Sequence, residues 1–136
     1  MVLLDASVII YLLEGNSVTR ASVQEVLRGL MTDNDPPLLA VSALSRLECR
    51  VRPLREGNAP LLERYDTFFD DPGLLVVPLD AAVVDRATEL RARYRLRTPD
   101  ALQAASLLAH DESGCLVTGD GDFSGIPQLQ VCQIEI

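Results

Sequence analysis

Residues 1–11, Met1-Val2-Leu3-Leu4-Asp5-Ala6-Ser7-Val8-Ile9-Ile10-Tyr11, form an apolar run interrupted by one acidic residue. Val2–Leu4 read as a short strand buried on both faces, and Val8–Leu13 as an apolar first helix. Asp5 falls at their junction. A carboxylate at the C-terminal end of a buried strand, facing the start of a helix, stands where open α/β sheets place their functional groups. An unpaired carboxylate beside a buried strand is also costly. Asp5 is therefore a candidate wall of an acidic pocket, and the rest of the chain must supply the others.

Outward from this stretch, strands and helices alternate. Asn16–Asn34 has helical apolar spacing and is stopped by Asn34-Asp35-Pro36-Pro37. Leu38–Val41 reads as a second strand. Ser42 or Ser45 can cap the helix that follows, and Ser45-x-x-Glu48 matches a capping box. Pro53 is expected to kink or end that helix near Arg52. Gly57-Asn58-Ala59-Pro60 is a turn into a helix through Phe69, and Leu74–Val77 is a third strand. Asp80 caps a helix over Ala81–Tyr94. Thr98-Pro99-Asp100 opens the next helix, with Thr98 as the expected cap, and that helix runs to His110. Cys115–Val117 and Leu129–Ile134 complete four to five strands. The pattern predicts one α/β domain over residues 1–136, a three-layer α/β/α arrangement around a mostly parallel sheet.

Composition narrows the chemistry. The 136 residues carry a net charge of −8, which argues against capture of nucleic acid by the whole surface and leaves only local basic patches for that role. All twelve basic residues are arginine, so sites that need a lysine are excluded. Cys49, Cys115 and Cys132 are widely spaced, with His110 as the one possible fourth ligand, and fit free thiols in a reducing compartment better than zinc or disulfides. No basic region precedes the apolar start, Asp5 interrupts it, and no apolar run reaches eighteen residues. A cytoplasmic protein without a membrane span is expected.

Further acids fall at comparable places. Glu48 lies early in the helix after the second strand, Asp100 opens the helix from Thr98, and Asp120 follows the fourth strand, with Asp122 just beyond. Asp5, Glu48 and Asp120 should share one edge of the sheet, and the helix of Asp100 can reach it. Each acid also has an ordinary reading: helix start for Asp100, capping-box partner for Glu48, turn residue for Asp120 and Asp122. Four carboxylates brought together repel or take up protons unless a cation joins them. All-oxygen ligation favours Mg²⁺ or Mn²⁺ over zinc, with one ion or two. Such a site can orient water for attack on a phosphodiester.

These residues also carry a family resemblance. Leu3-Leu4-Asp5-Ala6-Ser7-Val8, Leu47-Glu48, Arg97-Thr98-Pro99-Asp100-Ala101-Leu102 and Thr118-Gly119-Asp120-x-Asp122-Phe123 follow one another in the order found in PIN domains. The chain most resembles the VapC-type toxin ribonucleases of bacterial toxin–antitoxin pairs. The resemblance implies a metal-dependent endoribonuclease with Asp5, Glu48, Asp100 and Asp120 as metal ligands and catalytic acids around Mg²⁺ or Mn²⁺. Asp122 would be an accessory acid, and Ser7 and Thr118 would hydrogen-bond carboxylates or metal-bound water; Ser7 reads equally as a helix N-cap. It also implies a homodimer, a VapB-type antitoxin partner, and an RNA substrate of the tRNA or rRNA class. Gln103-Ala104 departs from relatives that often have a histidine there.

Arg91, Arg93, Arg95 and Arg97 cluster before Asp100, and Arg46, Arg50 and Arg52 surround Glu48. Arg93, Arg95 and Arg97, with Arg46 and Arg50, are the candidates for binding RNA phosphate or an antitoxin carboxylate; solvated or locally paired arginines are the plain alternative. His110, far from Asp100 on its helix, reads as a C-terminal helix residue. Two other functions remain in view. One is a PIN-like binding scaffold without catalysis. The other is a haloacid-dehalogenase-type phosphatase, which would need an aspartate where Ser7 stands.

Overall fold

Strand β1 (Val2–Leu4) buries all three of its side chains, yet they enter two different cores. Leu3 packs into one, and Val2 and Leu4 into the other. Side chains on a strand alternate between faces, so three consecutive buried residues require cover on both sides of the sheet. The computed structural model supplies it. It describes residues 1–32 and 34–135. Asp33, within the helix expected over 16–34, and Ile136 lie outside the described residues.

After β1 come α1 (Ala6–Glu14), α2 (Ser17–Leu30), β2 (Leu39–Ser42), α3 (Ala43–Arg55), α4 (Ala59–Phe69), β3 (Leu75–Val77), α5 (Ala81–Tyr94), α6 (Thr98–Leu108), β4 (Cys115–Thr118) and β5 (Gln130–Gln133). A single 3₁₀ turn, Gly121–Phe123, follows β4. The strand order is β3-β2-β1-β4-β5, and every neighbouring pair is parallel. Leu3, Ala40, Val77 and Leu116 face α5 and α6, while Val2, Leu4, Val41 and Val117 face α1, α2 and α4 together with Cys49 of α3. This is the α/β/α fold expected. All three cysteines are free, and no helix among the described residues is long and apolar enough to cross a membrane.

The chain runs from β1 outward to β3, then returns to lay β4 on the other side of β1. The direction of winding therefore changes between β1 and β4, and a crevice at such a switch point, at the carboxyl ends of the strands, is the place for a site. Leu4 is in register with Val117. The next residues, Asp5 and Thr118, consequently arrive side by side at that edge.

Three local expectations need correction. Pro53 does not end α3; it is buried inside the helix, which continues to Arg55. Proline costs the helix the bond to the carbonyl of residue 49, a loss that packing offsets so near the C-terminus. The cap of α3 is Ser42, whose side chain accepts from the Leu44 amide, so Ser45 and Glu48 are not a capping box. Helix α6 is preceded by Arg97 at the cap position without a side-chain cap bond, and Thr98 is already helical.

Candidate functional site

Asp5 caps α1. One carboxylate oxygen accepts from the Ala6 amide at 2.8 Å, and the other from Ser7 Oγ at 2.9 Å and Thr118 Oγ1 at 2.7 Å. The same hydroxyls reach on: Ser7 Oγ accepts from the Gly119 amide at 3.1 Å, and Thr118 Oγ1 from the Asp120 amide at 3.0 Å. Asp5 is buried and Thr118 fully so. A carboxylate has about four acceptor positions, so three donors fix its orientation and leave room for one more partner. Gly119 lets the Tyr11 ring lie close against the chain, since a Cβ there would sit 2.5 Å from that ring and displace it.

A second group lies beside it. Asp100, Asp120 and Asp122 each offer a carboxylate oxygen, and these oxygens lie within 4.8 Å of one another. Asp120 folds the turn after β4 by accepting from the Asp122 amide at 3.0 Å. Arg97 joins the group from the start of α6. Its Nε donates to Asp100 Oδ2 at 3.1 Å and its terminal nitrogen to Asp122 Oδ2 at 3.0 Å. Asp100 is buried, whereas the Arg97 side chain is 71% exposed.

Glu48 is held differently. The buried Gln103 amide donates to Ser45 Oγ at 2.7 Å and to Glu48 Oε1 at 3.3 Å. Gln103 lies three residues after Asp100 and so shares its face of α6. Burial raises the pKa of Glu48 above the usual range; the Gln103 bond opposes this, and the charges of Asp5 and Asp100 add to it. Burial also raises Asp100, against the pull of Arg97 and with the push of Asp122 and Asp120. Arg97 is raised in turn, first by its bond to Asp100.

The structure thus brings Asp100, Asp120 and Asp122 into ligating proximity and couples Glu48 electrostatically to Asp5 and Asp100. Asp5 and Glu48 themselves stand outside the 4.8 Å group, and Asp122 stands inside it. Neither Gln103 nor Ser45 reads from the sequence as a site residue: Gln103 carries the helical spacing from Asp100 and stands where relatives often have a histidine, and Ser45 reads only as a cap. Of the arginines, Arg97 lies among the acids. Arg46 pairs with Asp70 at 3.2 Å, Arg50 with Asp66 at 2.7 Å, and Arg52 with Glu14 at 2.7 Å, so these tie α3 to its surroundings. Arg91, Arg93 and Arg95 make no ion pair among the described residues. Arg95 adopts the left-handed conformation, φ 55°, that closes α5 and turns the chain toward Arg97.

The donor set is all oxygen, compact and short of positive charge. Asp100 within it and Glu48 beside it are pushed toward protonation by burial and by their neighbours, a strain that a divalent cation relieves. Hard cations with oxygen ligands, Mg²⁺ or Mn²⁺, fit such a set.

A sequence model of the family described as "PIN domain" matches residues 2–129. No curated protein sequence matches. Among solved structures, the chain is similar to a toxin–antitoxin complex from Klebsiella pneumoniae, with TM-score 0.75 and 23% identity over 99% of this chain and 98% of that one. It is similar to VapBC2 from Rickettsia felis, solved bound to a DNA fragment from their promoter, with TM-score 0.76 and 20% identity over 99% and 100%. It is also similar to VapC20 of Mycobacterium tuberculosis, described as a sarcin–ricin loop cleaving toxin, with TM-score 0.69 and 16% identity over 91% and 93%.

Proposed function

The chain belongs to the PIN-domain family, and on that premise we propose that it is a metal-dependent endoribonuclease, the toxin of a bacterial toxin–antitoxin pair. The observation that carries the reading is the packing of Asp100, Asp120 and Asp122 oxygens within 4.8 Å at the switch point of the sheet, beside Asp5 and Glu48. Asp5, Asp100, Asp120 and Glu48 are the residues proposed to hold Mg²⁺ or Mn²⁺, with Asp122 as accessory. When bound, the ion supplies charge neutralisation at a phosphodiester and a polarised water.

The chain's own groups do the rest. Ser7 and Thr118 fix the Asp5 carboxylate. Gln103 orients the Glu48 carboxylate by donating to its Oε1. Attack of water on phosphorus forms one P–O bond as one P–O ester bond breaks, the water's proton passing to solvent and the departing oxygen taking up a proton from solvent. Arg93 and Arg95, unpaired among the described residues and close in sequence to the pocket, are the better candidates for RNA phosphates. Arg46 and Arg50 are already committed to Asp70 and Asp66.

The similar toxin–antitoxin complexes support a VapB-type antitoxin as partner, and the similarity to a toxin described as cleaving the sarcin–ricin loop supports an RNA substrate; a homodimer, an RNA of the tRNA or rRNA class and action in the cytoplasm complete the proposal. Purified protein free of antitoxin should cleave RNA with Mn²⁺ or Mg²⁺ and stop with EDTA. Asp5→Asn and Asp100→Asn should lower cleavage by more than about a hundredfold while keeping the native circular dichroism, since they alter ligands rather than the groups that orient them. Equal cleavage by wild type and both variants overturns the assignment. Hydrolysis of small phosphate esters in place of RNA redirects it to a phosphatase.

A further inference from the structure

Arg97 is placed unlike any other arginine of the chain. Its guanidinium spans Asp100 and Asp122, two of the three acids whose oxygens cluster, and touches in each case the Oδ2 atom. We propose that Arg97 is an internal competitor of the divalent cation, which gains its ligands only as the guanidinium gives them up. The inference rests on the metallonuclease reading above and adds to it a control on metal affinity built into the chain.

The argument is one of geometry and exposure. Octahedral Mg²⁺ holds oxygens at about 2.0–2.1 Å, and a ligand lone pair directed at the ion is no longer available to a guanidinium N–H. The two cations therefore draw on the same two carboxylates. Asp100 is fixed in α6 with its side chain 11% exposed, and Asp122 is held in the turn after β4. Arg97, by contrast, stands mostly in solvent, so its head can move to water with little change in desolvation or packing. Its backbone precedes α6 by one residue, so a released guanidinium stays at the rim of the pocket. There its planar fork suits a phosphate oxygen pair.

The competition has a definite sign. Removing Arg97 must tighten divalent-ion binding, whereas removing a residue that merely supports the pocket must loosen it. The test is Mn²⁺ titration of the full chain near pH 8 by calorimetry and by Mn²⁺ electron paramagnetic resonance. Arg97→Gln should bind Mn²⁺ roughly three- to tenfold more tightly than wild type, the order expected for losing two charge-assisted bonds with an exposed partner. Arg97→Lys, which keeps the charge without the fork, should fall between. Equal or weaker binding by Arg97→Gln, with native circular dichroism, overturns the competition and leaves the nuclease reading standing. Absence of Mn²⁺ binding by wild type and Arg97→Gln alike overturns both.

Discussion

Two carboxylates of this pocket, Asp5 and Asp100, are both buried and both hydrogen-bonded, but their partners differ in kind. Asp5 is held by an amide and two hydroxyls, all neutral, short and inside the protein. Asp100 is held by a guanidinium that is mostly in water. Neutral donors in a dry setting do not respond to salt and have nowhere else to go. An exposed ionic partner is screened by electrolyte and exchanges readily for another cation. One side of the pocket is therefore built for fixed position and the other for exchange.

The contrast is open to attack from either side. Thr118→Val removes the shorter of the hydroxyl bonds to Asp5 with little change of shape. It should cost about 1–3 kcal/mol in denaturant unfolding, the price of leaving a buried acceptor short of a donor, and lower cleavage through misplacement of Asp5. A loss well below that range would mean the hydroxyl clamp is dispensable and the two sides are alike.

Glu48→Gln tests the electrostatic strain of the cluster. The folded pKa of Glu48 lies above its unfolded value, so the folded state keeps the proton longer as pH rises. Stability is thus lost from the ordinary carboxylate value, about 4, up to the raised one, and the penalty is complete at neutral pH. The variant should melt above wild type at neutral pH, with the advantage vanishing below that window. An advantage that persists at low pH would locate the gain elsewhere than in charge.

The smallest effect is expected at Arg95. A non-glycine residue in the left-handed region is strained, and Arg95→Gly should gain roughly 0.5–1 kcal/mol after the added freedom of the unfolded chain is counted. Thermal melting reads it. A destabilised variant would mean that the Arg95 side chain, not its backbone, secures the turn into Arg97.

Most of the fold was legible because buried parallel strands and amphipathic helices leave strong periodic marks, and Val2–Leu4, Ala81–Tyr94 and the cap Asp80 stand where their patterns put them. The misreadings have local causes. A proline near a helix C-terminus breaks few bonds, so Pro53 could stay within α3. Serines three residues apart compete for one cap, and Ser42 held it while Ser45 turned toward Gln103. The site was legible as a set of acids at element boundaries, because strand ends on one edge follow from parallel topology. The finer division was not. That Asp122 joins Asp100 and Asp120, and that Arg97 lies among them, depends on how the turn after β4 meets the start of α6, and no spacing within either segment encodes it.

The register of β1 against β4 also bears on when the pocket comes into being. Asp5 and Thr118 are 113 residues apart in sequence and meet only once these two strands pair. Closing so long a loop is slow, and its reward comes late in folding. On a ribosome the first five residues emerge long before Thr118, Asp120 and Asp122 are made, so a nascent or C-terminally cleaved chain carries Asp5 without its neighbours. The pocket is thus completed only when nearly the whole domain has been synthesised, and a protein fragment that stops short of β4 lacks Thr118, Asp120 and Asp122.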